Sequence, residues 1–195
     1  MKRLPKNPMT ARLIERPAVM SIEKITEIYS GRVLRVNVEH VRLPNGSLAE
    51  LEIIHHPGGA AVVALDDANR VCLLRQFRHA AGGWVWELPA GKIDNHEPPL
   101  QTAQRELEEE AGRQAAEWRS LGDCLSSPGV FTEVVHLFLA TGLNAVQAQH
   151  EANEVIEVHW LPFEQAMQMA RSGELRDSKS LAGLLRATAY VQPTA

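Results

Sequence analysis

One short acidic stretch, PLQTAQRELEEEAG, Pro99 to Gly112, constrains this chain more than any other segment, because it carries the punctuation of a single helix. Proline in the first helical turn forfeits no hydrogen bond, and glycine suits the position just past a helix end. Pro98, Pro99 and Gly112 therefore predict a helix over about Pro99 to Ala111. On it Glu106, Glu109 and Glu110 stand at i, i+3 and i+4 and share one face. Like charges so placed oppose the helix by roughly 0.2–0.5 kcal/mol per pair. A plain solvated acidic face is one reading of such a run; a face kept for cations is the other. All-oxygen ligands favour hard divalent ions, Mg²⁺ or Mn²⁺.

Composition narrows the classes. At 195 residues, 45% of them hydrophobic, the chain has material for one well-buried core, so one domain with an N-terminal extension is expected. A net charge of −4 gives no overall pull toward nucleic acid. Cys72 and Cys124 lie far apart without CxxC or Cys/His spacing, which argues against structural zinc and a disulfide framework and for a reducing, cytoplasmic setting. The opening MKRLPKNPMTARLIERPAVM is basic but has no continuous apolar run, and no stretch approaches the length needed to span a bilayer.

Along the chain, residues 1–21 carry prolines and mixed charge without periodicity and read as a flexible segment. Residues 22–56 alternate as strands, with Asn45-Gly46 as a two-residue hairpin turn between the last two, giving an antiparallel meander. Pro57-Gly58-Gly59 then introduces AAVVALD, an apolar run suited to a buried strand; Asp66, Asp67 and Asn69 mark a turn, and RVCLLRQF returns beside it. Trp84 and Trp86 alternate with Val85 and are read as packing aromatics rather than as part of a site. After the helix, EWRSLGDCLSSPG and VVHLFLATGL read as strands, with His136 a hydrogen-bonded strand histidine. NAVQAQHEANEVIEVHWLP starts polar and ends in a strand, and two amphipathic helices separated at Gly173 close the chain.

Gly91 to Arg113 resembles the Nudix box, Gx5Ex7REUxEExGU with U a bulky aliphatic, through Gly91, Glu97, Arg105, Glu106, Leu107, Glu109, Glu110 and Gly112. Arg113 replaces the final aliphatic, at the helix exit, a packing position rather than one that meets metal. The resemblance implies that Glu106, Glu109 and Glu110 are metal ligands, joined by the carbonyl of Ala90, and that Glu97 and Arg105 pair to hold the loop against the helix. It also implies an α/β/α sandwich around a mixed β-sheet, with residues 57–195 as the hydrolase domain. EIYSGRVLRVNVEHVRLPNG is similar to the N-terminal strands of the ADP-ribose pyrophosphatases of this superfamily, where they form a dimer interface and a wall of the substrate site. A small β-layer with nothing to pack on is marginal, which independently calls for a cover.

On their own Arg75 and Arg78 are surface cations, but LLRQFRHA resembles the family's LVRQYR element, in which the second arginine reaches the substrate's phosphates. That place falls to Arg78, with Arg75 the lesser candidate. Glu87, in the WELPAG phrase, is implied to line the pocket near the ribose. Pro128 stands where a proline marks the ADP-ribose pyrophosphatase group; with Gly129 it makes a rigid turn, and Glu133 aligns with an acidic residue of the same loop. Glu151 and Glu154 are alternative candidates for the general base that the family carries on a mobile loop.

The implied chemistry is Mg²⁺-dependent hydrolysis of the pyrophosphate bond of a nucleoside diphosphate sugar, ADP-ribose first, to AMP and ribose 5-phosphate. SPGVFTEVVH, IEVHWLPFEQA and SGELRDSKS also resemble GDP-mannose hydrolases of the superfamily, which makes another sugar nucleotide the first rival. A sensor that binds a sugar nucleotide without cleaving it would show degenerate carboxylates, and here all three stand. A nucleic-acid decapping or regulatory role would call for a basic track or an appended DNA-binding domain, and the charge balance and length argue against both.

Overall fold

The structure is a computed structural model describing residues 21–149 and 155–191. It divides between Ile54 and His55 into two compact units. In the first, β1 (Ser21–Ser30), β2 (Arg35–Arg42) and β3 (Leu48–His55) form a sheet in that order. Strand β1 runs antiparallel to β2, with irregularities near Glu23 and Ile28, and every residue of β1 is exposed. The connection between β2 and β3 is wider than the two-residue turn expected at Asn45-Gly46. The Gly46 amide bonds the Leu43 carbonyl at 2.8 Å, and the Leu43 amide bonds the Ser47 carbonyl at 2.8 Å. Pro44 fixes the first central φ and moves the turn's centre to Pro44-Asn45. Gly46, at φ 84°, becomes the left-handed residue that returns the chain to β3.

The second unit is built on β4 (Gly59–Ala64), whose residues are all buried. It pairs antiparallel with β7 (Ala90–Lys92) and parallel with β9 (Val134–Ala145), and β9 pairs antiparallel with β8 (Arg113–Leu125). A second sheet places β5 (Arg70–Arg78) between β10 (Ile156–Pro162) and β6 (Gly83–Glu87), antiparallel to both. The three helices are α1 (Pro99–Ala111), α2 (Phe163–Ser172) and α3 (Ser178–Ala187).

Strand alternation sorts the core into two layers. Ala61, Val63, Leu65, Val71 and Leu73 pack with Phe163, Ala166, Met169, Leu184 and Ala187 of α2 and α3. Ala60, Val62, Ala64, Cys72 and Leu74 pack with Ala103, Leu107 and Ala111 of α1. A strand covered on both faces has no polar side, which is why AAVVALD reads as an unbroken apolar run. The result is an α/β/α sandwich around a mixed sheet, as the sequence predicts. Helix α3 lies close to β4, since a Cβ on Gly183 would stand 2.8 Å from Leu88 Cδ1 and 3.2 Å from Val63 Cγ2. No helix among the described residues is long and apolar enough to cross a membrane.

Candidate active site

Helix α1 begins at Pro99 as expected, with Pro98 as its cap and the Pro98 carbonyl accepting from Gln101 N at 2.8 Å. It ends where Gly112 turns left-handed at φ 59° and its N–H returns to the Glu108 and Leu107 carbonyls. Between these stops Glu106 and Glu110 are buried while Glu109 is partly open. All three acids line a cavity of about 430 Å³. Ala90, Gly91, Lys92 and Asp94 supply the adjoining edge from β7 and the loop after it.

The glycine at Gly91 is required by the fit. A Cβ there would fall inside the Glu106 carboxylate. Glu110 is anchored at the same edge, its Oε2 accepting the Ala90 amide at 2.8 Å. Arg105 organises the rest: Nη2 donates to Glu97 Oε1 at 3.0 Å and to the Lys92 carbonyl at 3.2 Å, joining loop to helix. Its Nη1 reaches Glu106 Oε1 at 2.6 Å and Glu109 Oε2 at 3.1 Å. Burial works to raise the Glu97 carboxyl, but hydrogen bonds from Arg105, the Thr102 hydroxyl and the Asp94 amide outweigh it and hold it low.

Among the described residues no three His, Cys, Asp or Glu side chains already converge as a metal cage. The bonding shows why. The Arg105 guanidinium stands as a cation against both Glu106 and Glu109, and Glu110 is turned to the Ala90 amide. A hard divalent ion suits this donor set, because carboxylate oxygens and a backbone carbonyl are all-oxygen acceptors.

On another part of the cavity wall Arg78 and Lys179 bring positive charge. Arg78 makes a two-bond fork to Glu87, Nε to Oε1 at 2.8 Å and Nη2 to Oε2 at 3.0 Å; Lys179 Nζ reaches the same Oε2 at 2.6 Å. Lys179 also pairs with Asp177 at 3.0 Å. Burial pushes the Glu87 carboxyl up, but the Arg78 bonds and the Lys179 and Arg78 charges prevail and bring it down to about 2. Glu87 is only 4% exposed and is not among the residues lining this cavity; it is bonded to both of the cations that are.

Other expectations fall in different places. Arg75 is not part of the lining; it pairs with Glu157 at 3.4 Å and lies 5.1 Å over the Trp84 ring. Pro128 and Gly129 are exposed in a turn closed by Phe131 N to the Ser127 carbonyl at 2.9 Å, and they do not line the cavity. The turn acts at one remove. It sets Phe131 against His56, centroids 5.3 Å apart, and Thr132 Oγ1 to accept the His56 amide at 3.0 Å. Glu133 does line the cavity, 3.3 Å from His56 Nδ1. That nitrogen also accepts the Gly58 amide at 3.1 Å, and burial lowers the His56 pKa against the opposing pull of Glu133. Arg113 opens β8 and lies 5.3 Å over the Trp160 ring. Glu151 and Glu154 lie outside the described residues.

Sequence reasoning missed Lys179, Asp177, Gln76 and His56, all of which line the cavity. The available signal was SGELRDSKS, where Asp177 caps α3 by accepting from Ser180 N at 3.0 Å and so fixes Lys179 in the first turn.

Comparison with known proteins gives the arrangement a family. A family model, the NUDIX domain, matches residues 55–184. The chain is 37% identical over 174 residues to the ADP-ribose pyrophosphatase of Mycobacterium tuberculosis, covering 85% of this chain and 84% of that protein. It is 38% identical over 139 residues to the GDP-mannose pyrophosphatase of Klebsiella pneumoniae, covering 66% and 70%. In fold it is similar to a crystal structure of an ADP compounds hydrolase, with a TM-score of 0.75 at 18% identity, over 88% of this chain and 93% of that one. The family match spans both the acidic helix and the cation-bearing strand and helix that share its cavity, and the protein belongs to the Nudix family.

Proposed function

We propose that the protein hydrolyses the pyrophosphate bond of a nucleoside diphosphate sugar, with ADP-ribose the best substrate and AMP and ribose 5-phosphate the products. The observation that carries this reading is one cavity lined both by Glu106, Glu109 and Glu110 and by Arg78 and Lys179. A diphosphate needs cations against its oxygens, and its cleavage needs an activated water; acids and bases so divided meet both needs. The resemblance to an ADP-ribose pyrophosphatase over most of both chains supports the substrate.

Glu106, Glu109, Glu110 and the Ala90 carbonyl would hold Mg²⁺, or Mn²⁺ in its place. A divalent ion there supplies an acidified water and neutralises charge on the departing phosphate. Gly91 leaves room for the Glu106 carboxylate, Arg105 sets Glu106 and Glu109, and the Ala90 amide orients Glu110. Arg78 binds a phosphate oxygen pair with its planar guanidinium. Glu133, with His56 behind it, contacts the sugar end, and Glu151 or Glu154 takes the proton of the attacking water. The protein works as a cytoplasmic homodimer joined through the strands of residues 22–56.

A second reading, GDP-mannose as substrate, is favoured by the 38% identity to a GDP-mannose pyrophosphatase. It keeps the same acids and moves only the base and sugar contacts. The test is a panel of ADP-ribose, GDP-mannose, ADP-glucose, NADH and a dinucleoside polyphosphate at equal concentration, with Mg²⁺ and with EDTA, products separated by chromatography. Metal-dependent AMP release fastest from ADP-ribose supports the first reading, and GMP release fastest from GDP-mannose supports the second. Binding without turnover of any substrate defeats both.

A further inference from the structure

Glu87 holds two cations of the cavity at once. Its Oε2 accepts from Arg78 Nη2 at 3.0 Å and from Lys179 Nζ at 2.6 Å, while Oε1 takes Arg78 Nε at 2.8 Å. These residues come from three elements: Arg78 ends β5, Glu87 ends β6 and Lys179 lies in the first turn of α3. The Glu87 side chain is 5% exposed and that of Lys179 is 17% exposed, whereas that of Arg78 is 42% exposed. Two like charges drawn to one oxygen repel each other, and an ammonium so covered tends to lose its proton unless an anion stays beside it.

We propose that Glu87 is a positioning residue that clamps Arg78 and Lys179 into a two-pronged grip for the substrate's diphosphate, with Lys179 a direct phosphate contact. The inference rests on the pyrophosphate-cleaving reading above and deepens it. A guanidinium has five N–H donors and an ammonium three, so bonds to Glu87 leave each group able to meet a further anion. The charges around the clamp are those of Asp177, 3.0 Å from Lys179, and of Glu110, whose negative charge is felt at Arg78. Burial works against the Lys179 ammonium, but Asp177 and Glu87 more than offset it and keep it charged.

A purely architectural role for Glu87 is poorly matched to the bonding. The join between the end of β6 and α3 is made separately: Leu88 N donates to Ser180 Oγ at 2.8 Å, and Ser180 Oγ donates to Asp177 Oδ2 at 2.5 Å. Glu87 adds no link to the backbone of that join. What it adds is the placing of two cations.

The test uses the full chain as wild type, Glu87→Gln, Lys179→Gln and the double variant, with melting curves to establish folding. Inorganic pyrophosphate in EDTA is the calorimetric probe, so that the cations are read without a metal. Turnover of ADP-ribose with Mg²⁺ is followed in parallel. Glu87→Gln is expected to weaken pyrophosphate binding about tenfold and to raise KM by a similar factor, with kcat within about twofold of wild type. In the double variant the losses are expected to fall short of the product of the single losses, because both act on one grip. Unchanged pyrophosphate affinity in Glu87→Gln, no binding to wild type, or fully multiplicative losses would overturn the clamp. If Glu87→Gln does not fold, Arg78→Lys and Lys179→Gln singly and together take its place, and independent losses again defeat the proposal. A wild type that binds pyrophosphate but turns over no sugar nucleotide defeats the proposed function alone, while the binding arm still decides the clamp.

Discussion

Glu110 is the most buried of the three acids, 2% exposed with its Oε2 on the Ala90 amide. Glutamine there preserves shape and removes the charge. Glu110→Gln is therefore expected to lower kcat by about 10²-fold or more with the melting temperature nearly unchanged, measured by ADP-ribose turnover and calorimetry. Wild-type kcat in that variant would refute its role. Glu87 carries a different signature. A carboxyl held at about 2 in the folded chain takes its proton more readily once unfolded, where it titrates near 4.5. Its stabilisation is complete above about 4.5 and is lost as pH falls through about 2, a contribution on the order of 3 kcal/mol. Urea midpoints across that window should fall more steeply for wild type than for Glu87→Gln; parallel curves would contradict the assignment. At this scale the acids were legible because their spacing lies within one helix. Lys179 was not, because only the docking of α3 beside β6 brings it to Glu87.

Helix α1 and its flanking glycines form the element on which the site depends. Gly91→Ala drives a methyl group into the Glu106 carboxylate. Displacing one acid by about an ångström is expected to reduce kcat about 10²-fold while far-UV circular dichroism is retained. Gly112→Ala acts on stability instead. At φ 59°, and with a new Cβ 2.9 Å from the Val146 carbonyl, it should destabilise by roughly 1–2 kcal/mol in urea unfolding. A neutral result would show that the helix end relaxes freely. Elements were readable where local chemistry decides them, as in the proline start and glycine stop of α1. The β2–β3 turn was misjudged because Pro44, next to Asn45-Gly46, sets the geometry before the favoured dipeptide can. The exposed turn at Pro128 was placed on the chain correctly, but its action through Phe131 on His56 depends on tertiary packing that no local pattern encodes.

At the scale of the whole molecule, EDTA is expected to abolish hydrolysis and Mg²⁺ to restore it, with circular dichroism unaltered, since apolar packing joins the helices to the sheets. Light scattering should give twice the chain mass of 21.6 kDa if the protein is a homodimer, and a monomer would remove that part of the reading. The parallel pairing of β4 with β9 sets a timetable for assembly. Gly59 faces Val135 and Ala64 faces Ala140, so the central strand lacks this neighbour until the ribosome has passed Ala140. Strand β7, which carries Gly91, is hydrogen-bonded to β4, so the seat for Glu106 stands on the same central strand. Closing so long a loop is slow relative to local helix formation, so refolding is expected on the order of milliseconds to seconds. Catalytic competence should return together with the sheet, because α1 formed early would have no finished cavity to face.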